Sequence, residues 1–180
     1  FKGTLDSGGV VRALNAKGFA GLTTGQANRL NEVAVQAGLP VKTLASLKFE
    51  NGEYKSALWK FLSDAEKEAL VRKLDVEEGD IVFFAVGDRE LVCNILGRVR
   101  LEVAAMRELT KGSTDYNFLW VVDFPLLAFD PEEGSWGAVH HPFTRPCADD
   151  LPLLEAGEFA KVRAVAYDVV LNGYELGGGS

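Results

Sequence analysis

Residues 164–180, AVAYDVVLNGYELGGGS, contain the strongest hairpin signal in the sequence. Asn172-Gly173 is a favoured two-residue turn between antiparallel strands, so we expect a strand from Val162 to Leu171 to fold back on the residues that follow. The end of the chain is therefore predicted to be antiparallel sheet. The cross-strand pairs expected from this turn are Leu171 with Tyr174, Val170 with Glu175, and Asp168 with Gly177.

In this register two carboxylates share one face of the hairpin. Asp168 and Glu175 become diagonal neighbours, about 7–8 Å apart at the backbone, and a divalent cation such as Mg²⁺ is within reach of both. Gly177 and Gly179 fall on the same face. Each glycine weakens a strand by roughly 0.5–1 kcal/mol relative to alanine, which suggests that a ligand needs the space. The alternative is an ordinary solvated hairpin, which the spacing alone favours.

Residues 118–125, FLWVVDFP, predict another strongly apolar strand, interrupted by one carboxylate. Pro125 has no amide proton to donate, so this strand must end, bulge or lie at a sheet edge there. A polar turn over residues 130–135 then leads to a partner strand at 136–141. After a loop that carries Pro146 and Pro152, the strand from Val162 follows, so hairpin signals predict antiparallel strands as the regular structure of residues 118–180.

His140 and His141 are the only histidines in the sequence. Adjacent strand residues point to opposite faces, and no third cysteine or histidine is near, so a shared zinc ion is disfavoured. A histidine at the end of a strand can instead donate a hydrogen bond to an anionic substrate. The alternative is one buried, hydrogen-bonded histidine and one exposed histidine.

Residues 1–112 alternate strand and helix patterns, which predicts a small α+β domain. This part contains no histidine and no glycine-rich phosphate loop with lysine, and the short run Asp6-Ser7-Gly8-Gly9 is typical of a simple turn. We interpret it as a packing or docking domain without chemistry of its own. The patterns predict strands at 10–14, 44–49 and 81–85, with a turn at Asn51-Gly52 after the second strand. They also predict three helices. The first runs from an N-cap at Thr24 to Gly38, the second begins with a Ser63–Glu66 capping box, and the third follows Gly87.

Composition limits the possible partners and compartments. Acidic residues outnumber basic ones by 26 to 19, for a net charge of −7, which argues against strong sequence-blind binding of nucleic acid, although a local basic patch can still contact RNA. Cys93 and Cys147 are expected to be free thiols in a reducing cytosol. No apolar run approaches the roughly 20 residues that span a bilayer. The chain does not begin with Met, and we expect it to be a piece of a longer protein.

Three segments carry a family resemblance. Residues 118–130, AVHHPFTRP at 138–146 and the terminal segment 164–180 resemble, in order and spacing, the catalytic core of bacterial-type aspartyl-tRNA synthetases. Residues 1–112 resemble the domain inserted between two catalytic motifs of these enzymes, which also occurs in the B subunit of tRNA-dependent amidotransferases. That subunit lacks the HHPFT and GYE-x-GGGS segments. The resemblance implies an α+β insertion domain followed, over 113–180, by part of a class II antiparallel catalytic sheet.

The same resemblance implies roles for individual residues. Asp168 and Glu175 match carboxylates that hold the Mg²⁺ of ATP, and Glu175 also matches an ATP contact. His140 matches a histidine on a mobile loop that closes over the bound aspartate, and His141 is its neighbour in that motif. No residue here matches a catalytic nucleophile, because the aspartate carboxylate itself attacks the α-phosphate and the aspartyl group then passes to tRNA.

The implied parent protein is a cytoplasmic, homodimeric aspartate–tRNA ligase that uses ATP, L-aspartate and tRNA. The arginines that clamp the phosphates in this family lie outside the chain, so the chain alone is predicted to be inactive. Two other hypotheses stay open. One is a non-catalytic module that docks tRNA or a protein, and the other is an unrelated Mg²⁺-dependent phosphotransferase, which the missing glycine-rich loop weakens.

Overall fold

The computed structural model describes residues 2–180, with Lys2 described by its backbone only, and the chain divides into two compact units between Gly112 and Ser113. We call residues 1–112 the N-terminal unit and residues 113–180 the C-terminal unit. Both combine helices with antiparallel sheets, which confirms the predicted α+β class.

The N-terminal unit is a four-stranded antiparallel sheet with helices on both faces. Its strand order is β1-β4-β2-β3, so β4 is a central strand while β1 and β3 form the edges. The elements in chain order are α1 (Lys2–Asp6), β1 (Val10–Ala16), α2 (Thr24–Gln36), β2 (Ala45–Glu50), β3 (Glu53–Lys55), a 3₁₀ turn (Trp59–Phe61), α3 (Asp64–Leu74), β4 (Ile81–Gly87) and α4 (Arg89–Met106).

Side chains of β4 alternate between two hydrophobic cores, as the period of two in a strand requires. Phe83 packs with α2 and α4 on one face of the sheet, and Phe84 packs with α3 on the other. The fully apolar sequence of this strand therefore correctly predicted a strand that is buried on both faces.

Local signals in the N-terminal unit behave as the sequence predicts, with one correction. Ser63 and Glu66 form the capping box of α3, and Asn51-Gly52 forms a turn in which both residues have positive φ. The predicted N-cap Thr24 is wrong, because Thr23 caps α2 instead. Its side chain accepts from the backbone amide of Gln26, and the side-chain oxygen of Gln26 accepts from the amide of Thr23, which completes a second capping box.

Asp80 is a buried carboxylate at the entrance to β4, with 2% of its surface exposed. It accepts hydrogen bonds from the backbone amides of Glu77 and Gly18 and from the side chain of Asn15. Burial raises the pKa of Asp80, but these hydrogen bonds outweigh that effect and the pKa lies below its ordinary value. The carboxylate thus joins β1, β4 and the loop after α3.

The C-terminal unit contains two small antiparallel sheets, one ordered β5-β8-β9 and the other formed by β6 and β7. A small core of Leu126, Val162 and Ala164 lies in the segments between the strands. The elements are β5 (Phe118–Val121), β6 (Leu127–Asp130), β7 (Ser135–Ala138), a 3₁₀ turn (Ala148–Asp150), α5 (Leu151–Glu155), a 3₁₀ turn (Phe159–Lys161), β8 (Tyr167–Leu171) and β9 (Tyr174–Gly179).

Three strands of this unit are shorter than the sequence predicts. The strand expected from Val162 begins only at Tyr167, because residues 162–164 exchange single backbone hydrogen bonds with loops. The strand expected over 118–125 ends at Val121, before Asp123 with its φ of 60°. The strand expected over 136–141 ends at Ala138, so both histidines lie in the loop beyond it.

Candidate functional site

The terminal hairpin carries the candidate site, and the register predicted for it agrees with the structure only near the turn. Leu171 pairs with Tyr174 and Val170 with Glu175, as predicted. Leu176 is then an extra residue on β9, because Val169 pairs with Gly177. This bulge shifts the rest of the strand by one position.

The bulge changes which glycine lies opposite Asp168. The predicted pairing of Asp168 with Gly177 is wrong, since Asp168 pairs with Gly178. A β-carbon at Gly178 would overlap the Oδ1 atom of Asp168 and would lie 2.8 Å from the carbonyl oxygen of Tyr167. The expectation that Gly177 and Gly179 line the face of the carboxylates is also wrong. The carboxylate of Asp168 instead occupies the space that the missing side chain of Gly178 leaves.

Glu175 lies on the same hairpin as Asp168 but is exposed, whereas Asp168 is half-buried. The bulge puts one more residue between Glu175 and the position opposite Asp168 than a regular hairpin would. Among residues 2–180 no three histidine, cysteine, aspartate or glutamate side chains gather into a metal-binding group. The hairpin therefore offers two carboxylates, a set that suits a cation whose remaining ligands come from elsewhere.

The loop after β7 brings His141 to the end of β9. Its Nε2 atom lies 3.1 Å from the Oγ atom of Ser180, and the hydroxyl of Thr144 lies 3.3 Å from the same ring. The amide of Thr144 also donates to the carbonyl of His141, which closes a turn. The ring of His140 packs edge-on against Phe124, with 4.8 Å between centroids.

Both histidine side chains are exposed, so the alternative of one buried and one exposed histidine is wrong. Backbone hydrogen bonds anchor the loop on both sides. Val139 donates to Leu126, and beyond the loop Val165 donates to Arg145. The two histidines therefore sit on an anchored loop with their rings accessible to solvent.

An ion-pair network that the sequence did not predict joins segments on either side of this loop. Asp150, with 5% of its surface exposed, accepts from the Nε and Nη2 atoms of Arg163 at 2.8 and 2.9 Å and from its amide at 2.8 Å. These hydrogen bonds lower the pKa of Asp150 to about 2. Arg163 also donates to Asp123 at 3.3 Å, which explains why a carboxylate interrupts the apolar run at 118–125.

The apolar strand β5 is unusually exposed. Phe118, Leu119 and Trp120 have 62%, 52% and 63% of their surfaces exposed, although adjacent strand residues point to opposite faces. Contiguous apolar surface of this kind marks a site of contact with further polypeptide or a ligand. No helix in the described residues has the length and apolar character needed to cross a membrane.

Comparison with known proteins identifies two relationships. The GAD domain family matches residues 1–96. The whole chain is also similar to the aspartate–tRNA(Asp/Asn) ligases of Opitutus terrae and Methylacidiphilum infernorum, at 50% and 45% identity, and to the aspartate–tRNA ligase of Geobacillus kaustophilus, at 46%. The alignments cover 100% of this chain but 30% of the length of each relative.

Proposed function

This chain belongs to the GAD domain family, and we propose that the full-length protein is an aspartate–tRNA ligase. The observation that carries the proposal is the extent of the similarity. It continues beyond residue 96 through the histidine loop and the terminal hairpin, at 45–50% identity to the three ligases named above. A module limited to docking would have no need of that second part.

In this proposal Asp168 and Glu175 bind the Mg²⁺ that accompanies ATP, and Glu175 also contacts ATP. Enzymes that handle phosphates usually hold Mg²⁺ with one or two carboxylates together with the phosphates of the substrate, so two carboxylates suffice. The half-buried Asp168, whose carboxylate lies against Gly178, would provide the more fixed ligand, and the exposed Glu175 would provide the second. The ion, when bound, neutralises charge on the phosphates.

We infer that His140 and His141 hold the aspartate substrate. An exposed imidazole can donate a hydrogen bond to a carboxylate, and it does so most strongly when protonated. The link between His141 and Ser180 supports this role, since it keeps the histidine loop beside the glycine end of β9. Asp168, which pairs with Gly178, would then lie at the same end of the hairpin as the substrate, with Glu175 nearer the turn.

The proposed reaction relies on positioning and charge, with no protein nucleophile. The carboxylate of aspartate attacks the α-phosphate of ATP, which releases pyrophosphate and forms aspartyl-adenylate. A ribose hydroxyl of tRNA then attacks the aspartyl carbonyl carbon and releases AMP. Groups held in place before the reaction can supply much of the rate enhancement of such a transfer. The full-length ligase is proposed to act in the cytoplasm as a homodimer on tRNA, L-aspartate and ATP.

The exposure of β5 supports the proposal that further polypeptide packs against the C-terminal unit in the full-length ligase. Burying apolar surface contributes about 25 cal/mol per Å², so an apolar strand open on both faces is costly to leave in water. Further polypeptide of the full-length ligase is proposed to cover it. This also agrees with the share of the relatives' length that the chain spans.

The test is aspartate-dependent exchange of pyrophosphate into ATP, measured on the full-length protein and on this 180-residue chain. The full-length protein should exchange pyrophosphate and charge tRNA with aspartate. The chain alone should stay at background, because it lacks the phosphate-clamping arginines expected elsewhere in the ligase. A full-length protein that is folded but inactive with aspartate would refute the proposal.

A further inference from the structure

The free edge of β1 lies in a groove between two helices of the N-terminal unit. β1 pairs only with β4, so its other edge is open. Helix α3 flanks this edge on one face of the sheet and α4 on the other, around a cavity of about 640 Å³. The residues that line this edge groove are Val11, Arg12, Ala13, Leu14, Ala69, Leu70, Lys73, Leu74, Phe84, Cys93, Leu96, Gly97 and Arg100.

The backbone of the edge strand is available for pairing. Among the described residues, the N–H and C=O groups of 10–16 form no hydrogen bonds outside the ladder with β4. Since an antiparallel partner satisfies only alternate residues, the rest of these groups face the groove. An open edge of this kind is a template for an added strand, and proteins usually protect it unless a partner uses it.

Three cations surround the edge groove in a chain whose net charge is −7. Arg12, Lys73 and Arg100 are exposed, and within the described part of the chain none forms an ion pair or a side-chain hydrogen bond. The lining contains no aspartate or glutamate. The local charge is therefore opposite to that of the whole chain and complementary to an acidic partner.

Gly97 keeps the groove open in the middle of α4. A β-carbon there would meet no atom within 4 Å, and its φ is compatible with any residue. Glycine inside a helix costs about 0.8–1.0 kcal/mol relative to alanine, so packing within the unit gives no reason for it. The empty space lies on the groove side, where an occupant can use it.

We propose that the edge groove binds an extended acidic segment of a partner polypeptide, which adds to the sheet as a strand beside β1. Backbone pairing supplies affinity, the apolar lining accepts alternate side chains, and the three cations select acidic residues at the other positions. RNA is the less suitable occupant, because Phe84 is 92% buried against the core and offers no ring on which a base can stack. The proposal concerns the N-terminal unit alone and stands apart from the ligase assignment.

The test uses the 180-residue chain and a fluorescein-labelled peptide of about ten residues in which valine and glutamate alternate, a length that matches a strand. Fluorescence anisotropy measures binding, and hydrogen exchange measures protection of the amides of residues 11–14. Alkylation of the exposed Cys93 in the groove should slow when the peptide binds, while that of Cys147 in the other unit should not change.

Matched variants separate loss of the groove from loss of the fold. Gly97→Leu should weaken peptide binding by about tenfold or more while the thermal midpoint stays equal or rises, since leucine is a better helix former. Lys73→Glu should weaken binding to a similar degree. Arg72→Glu, on the same helix but outside the lining, should change binding by less than about twofold.

The expected result is binding of the glutamate peptide, protection of residues 11–14 and sensitivity to Gly97→Leu. Three results would overturn the proposal: no binding at millimolar peptide, equal binding of a peptide with lysine in place of glutamate, or binding without protection of the strand amides. If a single-stranded RNA oligonucleotide displaced the peptide without protecting the amides of residues 11–14, the three cations would be assigned to nucleic-acid binding instead.

Discussion

The imidazole of His141 lies 3.1 Å from the hydroxyl of Ser180, 39 positions later in the chain. This contact joins the loop after β7 to the end of β9. The loop supplies the candidate ligands for aspartate, and the hairpin supplies the candidate ligands for Mg²⁺. One hydrogen bond therefore ties the two halves of the candidate site together.

Removal of this contact in the full-length protein should affect aspartate more than ATP. Ser180→Ala removes one of the two hydroxyl contacts of the His141 ring and leaves only that of Thr144, so we expect a KM for aspartate raised about threefold to tenfold, as for the loss of one hydrogen bond of about 1 kcal/mol. The KM for ATP should stay within about twofold. Pyrophosphate exchange at varied aspartate and ATP measures both, and equal changes in the two constants would contradict the assigned role.

Replacement of Gly178 by alanine and replacement of Gly177 by alanine should have sharply different effects on the free energy of unfolding. Gly178→Ala places a β-carbon against Asp168 and the backbone of Tyr167, so we expect a loss of about 1–3 kcal/mol in the free energy of unfolding. Gly177→Ala meets no atom within 4 Å and should be neutral or slightly stabilising. Thermal melts of the 180-residue chain decide the point, and equal midpoints for the two variants would contradict the bulged register.

The pair of Asp150 and Arg163 should make the stability of the C-terminal unit depend on pH in the acid range. The pKa of Asp150 is lowered to about 2 in the folded chain, while an unfolded aspartate titrates near about 3.9. Its contribution is therefore complete above about pH 4 and is lost as the pH falls toward 2.

Asp150→Asn tests this dependence. The variant should melt earlier than the wild type at pH 7, and the gap between their midpoints should narrow as the pH falls from about 4 to about 2. Asp149→Asn, at the exposed neighbouring position, is the matched control and should follow the wild type throughout. A gap that stays constant down to pH 2 would show that the carboxylate charge does not stabilise this unit.

Local rules predicted the fold better than they predicted the site. The capping box at Ser63 and the turn at Asn172-Gly173 depend on neighbouring residues, and both form as expected. The bulge at Leu176 brings Gly178 against Asp168 and Gly179 against Tyr167, and these close approaches between strands are visible only in the folded hairpin. The register predicted from the turn is therefore correct for the two pairs next to the turn and wrong beyond the bulge.

The ion pairs of Arg163 with Asp150 and Asp123 could not be predicted from the sequence for a different reason. Asp150 and Arg163 are 13 positions apart, and Asp123 is 40 positions from Arg163, with no periodic element connecting them. The only sequence signal was the single carboxylate inside the apolar run at 118–125. A charged residue at such a position indicates a partner, but only the folded chain shows which one.

The central claim is that the hairpin carboxylates bind the Mg²⁺ of ATP, and Glu175→Gln in the full-length protein tests it most directly. Glutamine keeps the size and one acceptor oxygen of glutamate but loses the charge that holds the ion. We measure pyrophosphate exchange at several Mg²⁺ concentrations together with a thermal melt. Glu133→Gln, at an exposed position in the turn between β6 and β7, is the matched control.

We predict that Glu175→Gln lowers the rate of aspartate activation by about tenfold or more and shifts the Mg²⁺ dependence to higher concentration. The free energy of unfolding should change by no more than about 0.5 kcal/mol, as for other exposed positions. Glu133→Gln should leave both unchanged. An unaltered rate and an unaltered Mg²⁺ dependence in Glu175→Gln would contradict the metal assignment.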